Sequence, residues 1–235
     1  MSNDPDPDRS EFERRREETR RKLAAFDRTG AAEPADHKRF FDHVYQEAAG
    51  DAAGVPWADL SPKRQIVDWL VRNPGTGLTA LDIACGLGDN AEAMAGAGYR
   101  TVAFDLSPHA VEWARKRFPD SKVDYRVANL LEPPPDWSGG FDLVNECYTI
   151  QSVPVDMRAR MTRAVASLVK PGGRLLVYAR TRLEGSEADG PPWPLSPSEV
   201  DAFRELGLAP VSEERFELAR GDRIMPHVFA VWRRG

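Results

Sequence analysis

The stretch Leu81-Asp82-Ile83-Ala84-Cys85-Gly86-Leu87-Gly88-Asp89-Asn90-Ala91, with Asp105 at the end of the next apolar run, decides how this chain folds. Residues 78–84 are short, apolar and end at a glycine loop, which predicts a buried strand. Gly86 and Gly88 admit backbone angles that a Cβ penalises, and they let a ligand approach the main chain. Asp89 or Asn90 is placed to cap the helix that follows. Residues 101–104 read as a second strand, with Asp105 at its carboxyl end. Ligands of open α/β sheets bind at that edge. An acid there can accept hydrogen bonds from both ribose hydroxyls of an adenosine, so an adenosine-containing cofactor is expected.

Outward from this motif, strands and helices alternate as in a parallel sheet. Ser107-Pro108 opens a helix. Residues 123–128 and 141–147 read as the third and fourth strands, and Pro133-Pro134-Pro135 bars regular structure between them. A helix over 155–169 leads to a fifth strand over 174–179. Ser196-Pro197-Ser198-Glu199 combines a cap, a first-turn proline and a capping-box acid for a helix to Leu206. Two strands, 210–218 and 228–233, close the chain around a turn near Gly221-Asp222. Upstream, Ser10 with Glu13 predicts a helix to Ala25, whose many charges read as a solvated surface. A second helix spans 36–49 and carries Phe40, Phe41, Val44 and Tyr45. Ser61-Pro62 begins a third, through Val71.

The glycine loop and Asp105 also satisfy the loose dinucleotide fingerprint. Asp82 inside the strand, the loop's position after about eighty residues, and Lys170-Pro171-Gly172-Gly173-Arg174 before Leu175-Leu176-Val177-Tyr178 favour another cofactor. Together these residues resemble the class I S-adenosylmethionine-dependent methyltransferases, with Ala84 standing where their first motif carries a glycine. The resemblance implies a Rossmann-like, doubly wound seven-stranded sheet with a terminal antiparallel strand pair, plus an N-terminal helical extension. It implies S-adenosylmethionine held by Asp82, Ala84, Cys85, Gly86, Gly88, Asp105, Leu106, Asn129, Leu130 and Glu146. Asp105 would take the ribose, Leu106 would pack on the adenine and Asn129 would read its amino group. The expected organisation is a disordered tail (1–9), a helical arm or lid (10–60) and the methyltransferase domain (61–235).

Composition excludes little beyond this. The chain has 235 residues and a net charge of −5, so no basic surface advertises nucleic acid or an anionic membrane. Two cysteines make no disulfide framework, which suits a reducing cytosol, and with so few histidines no metal site is expected. No apolar run approaches membrane-spanning length, and the acidic, proline-broken start is unlike a secretory signal. The expected partner is a small molecule, without nucleic acid or membrane.

Methyl transfer from a sulfonium needs alignment and exclusion of water, with a base only where the acceptor must lose a proton. Residues 141–148 carry the fourth motif. They superficially resemble the Asn/Asp-Pro-Pro-Tyr signature of nucleobase amino-methyltransferases but lack both prolines. Glu146 and Tyr148 are the candidate catalytic residues there, with Thr149 and Gln151 beside them. Phe40-Phe41-Asp42-His43-Val44-Tyr45 followed by Val55-Pro56-Trp57-Ala58-Asp59 is similar to the N-terminal region of thiopurine and related thiol methyltransferases, with Asp59 displaced by Ala58. That similarity favours a thiol or another soft nucleophile as acceptor. Tyr45, Trp57 and Trp193 are the candidate acceptor-binding residues. The alternatives are an O- or N-methyltransferase of a natural product, or a cofactor-binding regulator without turnover. His37, His43, His109 and His227 have no neighbour in sequence that makes them catalytic.

Overall fold

A computed structural model describes residues 7–26, 34–188, 190–220 and 223–235. Strand β1 (Thr79–Ile83) pairs in parallel with β2 (Arg100–Asp105) and with β4 (Phe141–Cys147). Outside β2 lies β3 (Asp124–Val127), and β4 continues to β5 (Val169–Arg180), both parallel. The last strand, β7 (Arg223–Arg234), runs antiparallel between β5 and the edge strand β6 (Leu208–Arg220). The order is therefore β3-β2-β1-β4-β5-β7-β6, the expected Rossmann-like sheet with an antiparallel pair at one end. The order reverses direction at β1 and β4, and the crevice above their carboxyl ends is where such sheets bind ligands.

Helices cover both faces. On one, α6 (Val155–Leu168), α7 (Pro197–Asp201) and the 3-10 turn Ala202–Leu206 bury Leu81, Val144, Leu175, Val177 and Trp232. On the other, α3 (Arg64–Arg72) and α4 (Asp89–Gly96) bury Ala80, Leu143, Leu176 and Val231. Each side chain of leucine size removed from water contributes roughly 1.5–3 kcal/mol, so two buried faces explain why the central strands are nearly all apolar. Helix α5 (Pro108–Arg117) packs behind β2 and β3. Among the described residues no helix is long and apolar enough to cross a membrane.

Several sequence expectations are corrected. Neither Asp89 nor Asn90 caps α4: its N-cap is Gly88 in the left-handed region, φ +90°. Asp89 instead pairs with Arg117 at 2.9 Å, and Asn90 Oδ1 accepts from Lys63 N at 3.0 Å. Helix α3 starts at Arg64, three residues after Ser61, with Lys63 as its N-cap in extended geometry. Strand β5 begins at Val169 rather than 174, since Val169 already pairs with Phe141 across a register shift. The terminal strands are longer than expected at both ends, and Pro135–Trp137 forms a 3-10 turn despite the prolines. The caps at Ser107 and Ser196 stand as expected, the latter as a full capping box with Glu199.

The N-terminal segment comprises α1 (Pro7–Phe26) and α2 (Pro34–Ala48). Helix α1 already includes 7–9, so Ser10 lies within it rather than capping it. The rest of the expected tail, and the turn at 221–222, lie outside the described residues. One face of α1 is not solvated. Arg16 is buried, donating from Nη1 to Ala58 O and Asp59 Oδ1, both at 2.5 Å. Thr19 and Arg20 hydrogen-bond Ala53 O and Pro56 O. Helix α2 then buries Tyr45 and Ala48 with Val55, Ala58, Leu87 and Ala110, joining arm, glycine loop and α5.

Candidate functional site

The glycine loop turns off β1 through three positive φ angles: Ala84 at +49°, Gly86 at +52° and Gly88 at +90°. Glycine is required at two of them for space as well. A Cβ on Gly88 would collide with Tyr125 Oη, and one on Gly86 would lie 3.1 Å from Tyr45 Oη. Cys85 N donates to Phe104 O at 2.8 Å, which ties the loop to β2. Asp105 is buried at the end of β2. Its two oxygens accept from Gly86 N and Ser107 N, each at 3.0 Å. The acid therefore holds both the glycine loop and the start of α5. Burial pushes its carboxyl up to about 6, against the backbone hydrogen bonds from Ser107 and Gly86.

Two more carboxyls lie on adjoining rungs of β1 and β4. Asp82 pairs across the sheet with Asn145, and Asn145 Nδ2 donates to Asp82 Oδ1 at 2.7 Å. Glu146, opposite Ile83, accepts from Thr149 N at 2.7 Å and Ile150 N at 2.9 Å through Oε1. It thus caps the 3-10 turn Ile150–Ser152. Burial pushes both carboxyls up to about 7. Among the described residues Asp82 Oδ2, Asn145 Oδ1 and Glu146 Oε2 are buried without a hydrogen-bond partner. Unpaired buried acids are costly, and a cation relieves them.

The remaining expected site residues divide. Ala84 is exposed, Cys85 and Leu106 are half-buried along the loop edge. Asn129 Oδ1 accepts from Leu131 N at 3.0 Å, a turn bond, and Leu130 is buried in the core with Trp137. Tyr45 and Trp57 come together: Trp57 Nε1 donates to Tyr45 Oη at 2.7 Å, and their rings meet edge to face at 5.6 Å. Trp193 joins neither. Its main chain bonds Gln151 O and Arg158 at the far side of the β4 turn. Asp59, the displaced acid of the arm, pairs with Arg16 and Lys63.

Sequence reasoning missed two residues. His227, on β7, is 1% exposed, and its Nε2 lies 2.9 Å from Tyr148 Oη. Lys63 Nζ sits 4.8 Å from the centre of the Tyr148 ring. The only hint of the former was a histidine inside an apolar alternating strand. His109 is exposed on α5 and meets Asp42 at 2.8 Å, joining α2 to α5. No group of three or more metal-ligating side chains occurs among the described residues.

Residues 80–173, which include the glycine loop, Asp105 and the β4 motif, match the methyltransferase domain family. Over residues 80–173 the chain carries a methyltransferase domain. The residues fit S-adenosylmethionine: a glycine cradle, a buried acid at the end of β2 and, on β1 and β4, buried acids without cationic partners. The chain is 35% identical over 147 residues to a ubiquinone biosynthesis O-methyltransferase of Aromatoleum aromaticum, covering 61% of each chain. A protein of the same name from Xanthomonas axonopodis is 39% identical over 108 residues, 45% of this chain and 44% of that protein. The chain thus spans between 44% and 61% of these relatives' lengths. The fold is also that of the Burkholderia thailandensis 1,6-didemethyltoxoflavin-N1-methyltransferase, crystallised with S-adenosylhomocysteine. There the TM-score is 0.66 at 17% identity, over 88% of this chain and 92% of that one.

Proposed function

We propose that the chain methylates the oxygen of a small aromatic hydroxyl compound. The observation that carries this reading is the cluster of Tyr148, Tyr178, Phe216 and His227, which gathers side chains from β5, β6 and β7 and from the end of β4, two residues beyond the buried Glu146. Their ring centres lie 5.2–5.9 Å apart. Such an arrangement suits a flat aromatic acceptor, and the O-methyltransferase names of the relatives support oxygen as the atom. The thiol acceptor expected from the arm has no support among those names.

When bound, S-adenosylmethionine supplies an electrophilic methyl on a sulfonium. Asp105 takes the ribose, and the main chain from Ala84 to Gly88 cradles the methionine end, with Asp82 and Glu146 answering its positive charge. Leu106 packs on the adenine, beside Asn129 and Leu130. The arm, residues 10–60, covers the glycine loop through Tyr45 and Trp57, and Trp193 walls the acceptor side. The domain proper runs over 61–235. A hydroxyl must lose its proton, so this reading needs a base where a thiolate would not.

The test is a panel of catechols, simple phenols, small thiols and amines with methyl-labelled cofactor. Methylation of oxygen acceptors above the others supports the reading. Turnover confined to thiols or amines overturns it, and no turnover despite tight S-adenosylhomocysteine binding favours a cofactor-binding regulator.

A further inference from the structure

The geometry points to Tyr148 and His227 as a two-residue proton path that ionises the acceptor hydroxyl, with Tyr148 touching the acceptor and His227 receiving the proton behind it. The inference rests on the oxygen-acceptor reading above.

Three observations converge. Tyr148 is the first residue after β4, at the ligand-binding edge, and it holds φ +65°. A bulky residue in the left-handed region is strained, and such strain persists where surrounding structure fixes a side chain in place. Tyr148 N donates to Tyr178 O at 3.0 Å, and the two rings meet edge to face at 5.2 Å, which supplies that fixing. Second, His227 Nδ1 lies 2.8 Å from Met225 O. A carbonyl only accepts, so Nδ1 carries hydrogen. In the neutral ring Nε2 is then an acceptor, and Tyr148 Oη must donate to it. Third, Lys63 Nζ over the Tyr148 ring favours negative charge building on that phenol. Lys63 also pairs with Asp59, so the arm that covers the glycine loop sets the cation's position.

The step balances. The acceptor O–H gives its proton to Tyr148 Oη while the Tyr148 proton moves to His227 Nε2. The acceptor oxygen bonds the methyl carbon as the carbon–sulfur bond breaks and its electrons return to sulfur. The products are the methyl ether, S-adenosylhomocysteine and an imidazolium that later releases one proton to water. A phenol oxygen has two acceptor lone pairs besides its proton, so donation to His227 is compatible with receiving a substrate hydroxyl.

Two acceptors separate this from a structural role. Catechol is neutral at pH 8, whereas 4-nitrocatechol is already ionised and needs no base. His227→Gln keeps a hydrogen-bond acceptor for Tyr148 but binds no proton. With catechol kcat should fall by about a hundredfold, within the usual range for losing acid–base help. With 4-nitrocatechol at pH 8 it should fall less than about threefold. Tyr148→Phe should give the same split, so the test stands even where one variant fails to fold. A second readout needs no turnover. In the S-adenosylhomocysteine complex, about one pH unit below the pKa of 4-nitrocatechol, the unaltered chain should show the phenolate absorbance of the bound acceptor and both variants should lack it. Equal losses on both acceptors, or a phenolate band unchanged in the variants, overturn the proton path while leaving the oxygen reading intact. Failure of the unaltered chain to methylate either catechol overturns both.

Discussion

At the scale of single residues, the glycine loop after β1 carries one alanine where its geometry asks for glycine. Ala84 sits at φ +49° and its side chain is exposed. A Cβ in the left-handed region costs about 1–2 kcal/mol. Glycine removes that strain but loosens the unfolded chain by about 0.4–1 kcal/mol. Ala84→Gly should therefore stabilise by up to about 1 kcal/mol, read as a higher urea midpoint at unchanged slope. A loss of stability would mean the alanine side chain makes a contact that outweighs its strain. Local chemistry of this kind was legible in the sequence. The caps at Ser107 and Ser196 follow from spacing, because each bonds three residues from itself, whereas Asp105 is marked by its place at the end of β2 and reaches Gly86, 19 residues away. Tyr148 and His227 were not paired in advance, since 79 positions separate them and only the β5–β7 register brings them together.

At the scale of elements, the alternation of strands and helices was readable and the element ends were not. Helix α3 starts at Arg64 and not at Ser61, and Lys63, its N-cap, donates its N–H to Asn90, a contact that spacing within the helix does not announce. Likewise α1 reads as solvated from its charges, yet Arg16, Thr19 and Arg20 dock it on residues 53–59. That docking gives the arm a measurable role. Removing residues 1–60 strips Tyr45, Val55 and Ala58 from Leu87 and Ala110. The truncated chain should bind an apolar dye more strongly and hold S-adenosylhomocysteine at least about tenfold more weakly by calorimetry. Unchanged affinity would make the arm a bystander to the cofactor loop.

For the whole molecule, the buried acids couple cofactor binding to pH. Asp82 and Glu146 are pushed up to about 7 and Asp105 to about 6, each first by burial. The folded chain then holds protons that the unfolded chain gives up above about pH 4. The stability this supplies is complete below about pH 4 and is lost as pH rises through 6 to 7. A bound sulfonium favours the ionised acids, so binding should release protons near pH 6.5. The apparent binding enthalpy of S-adenosylmethionine should differ between phosphate and Tris in proportion to their ionisation enthalpies, and identical values would remove the linkage. The same molecule carries a consequence for how it assembles. Strand β7 follows every other strand in the chain, yet it lies inside the sheet, between β5 and β6. As β6 emerges it has no partner, and β5 keeps an open edge. The pairing of β6 with β7 is local in sequence, while that of β7 with β5 closes a longer loop. The register that pairs β7 with β5 is the one that brings His227 to Tyr148. The glycine loop and Asp105 bond to β2 and to the start of α5, so a substitution that frees β7 from β5 should part His227 from Tyr148 and leave the loop's own hydrogen bonds in place.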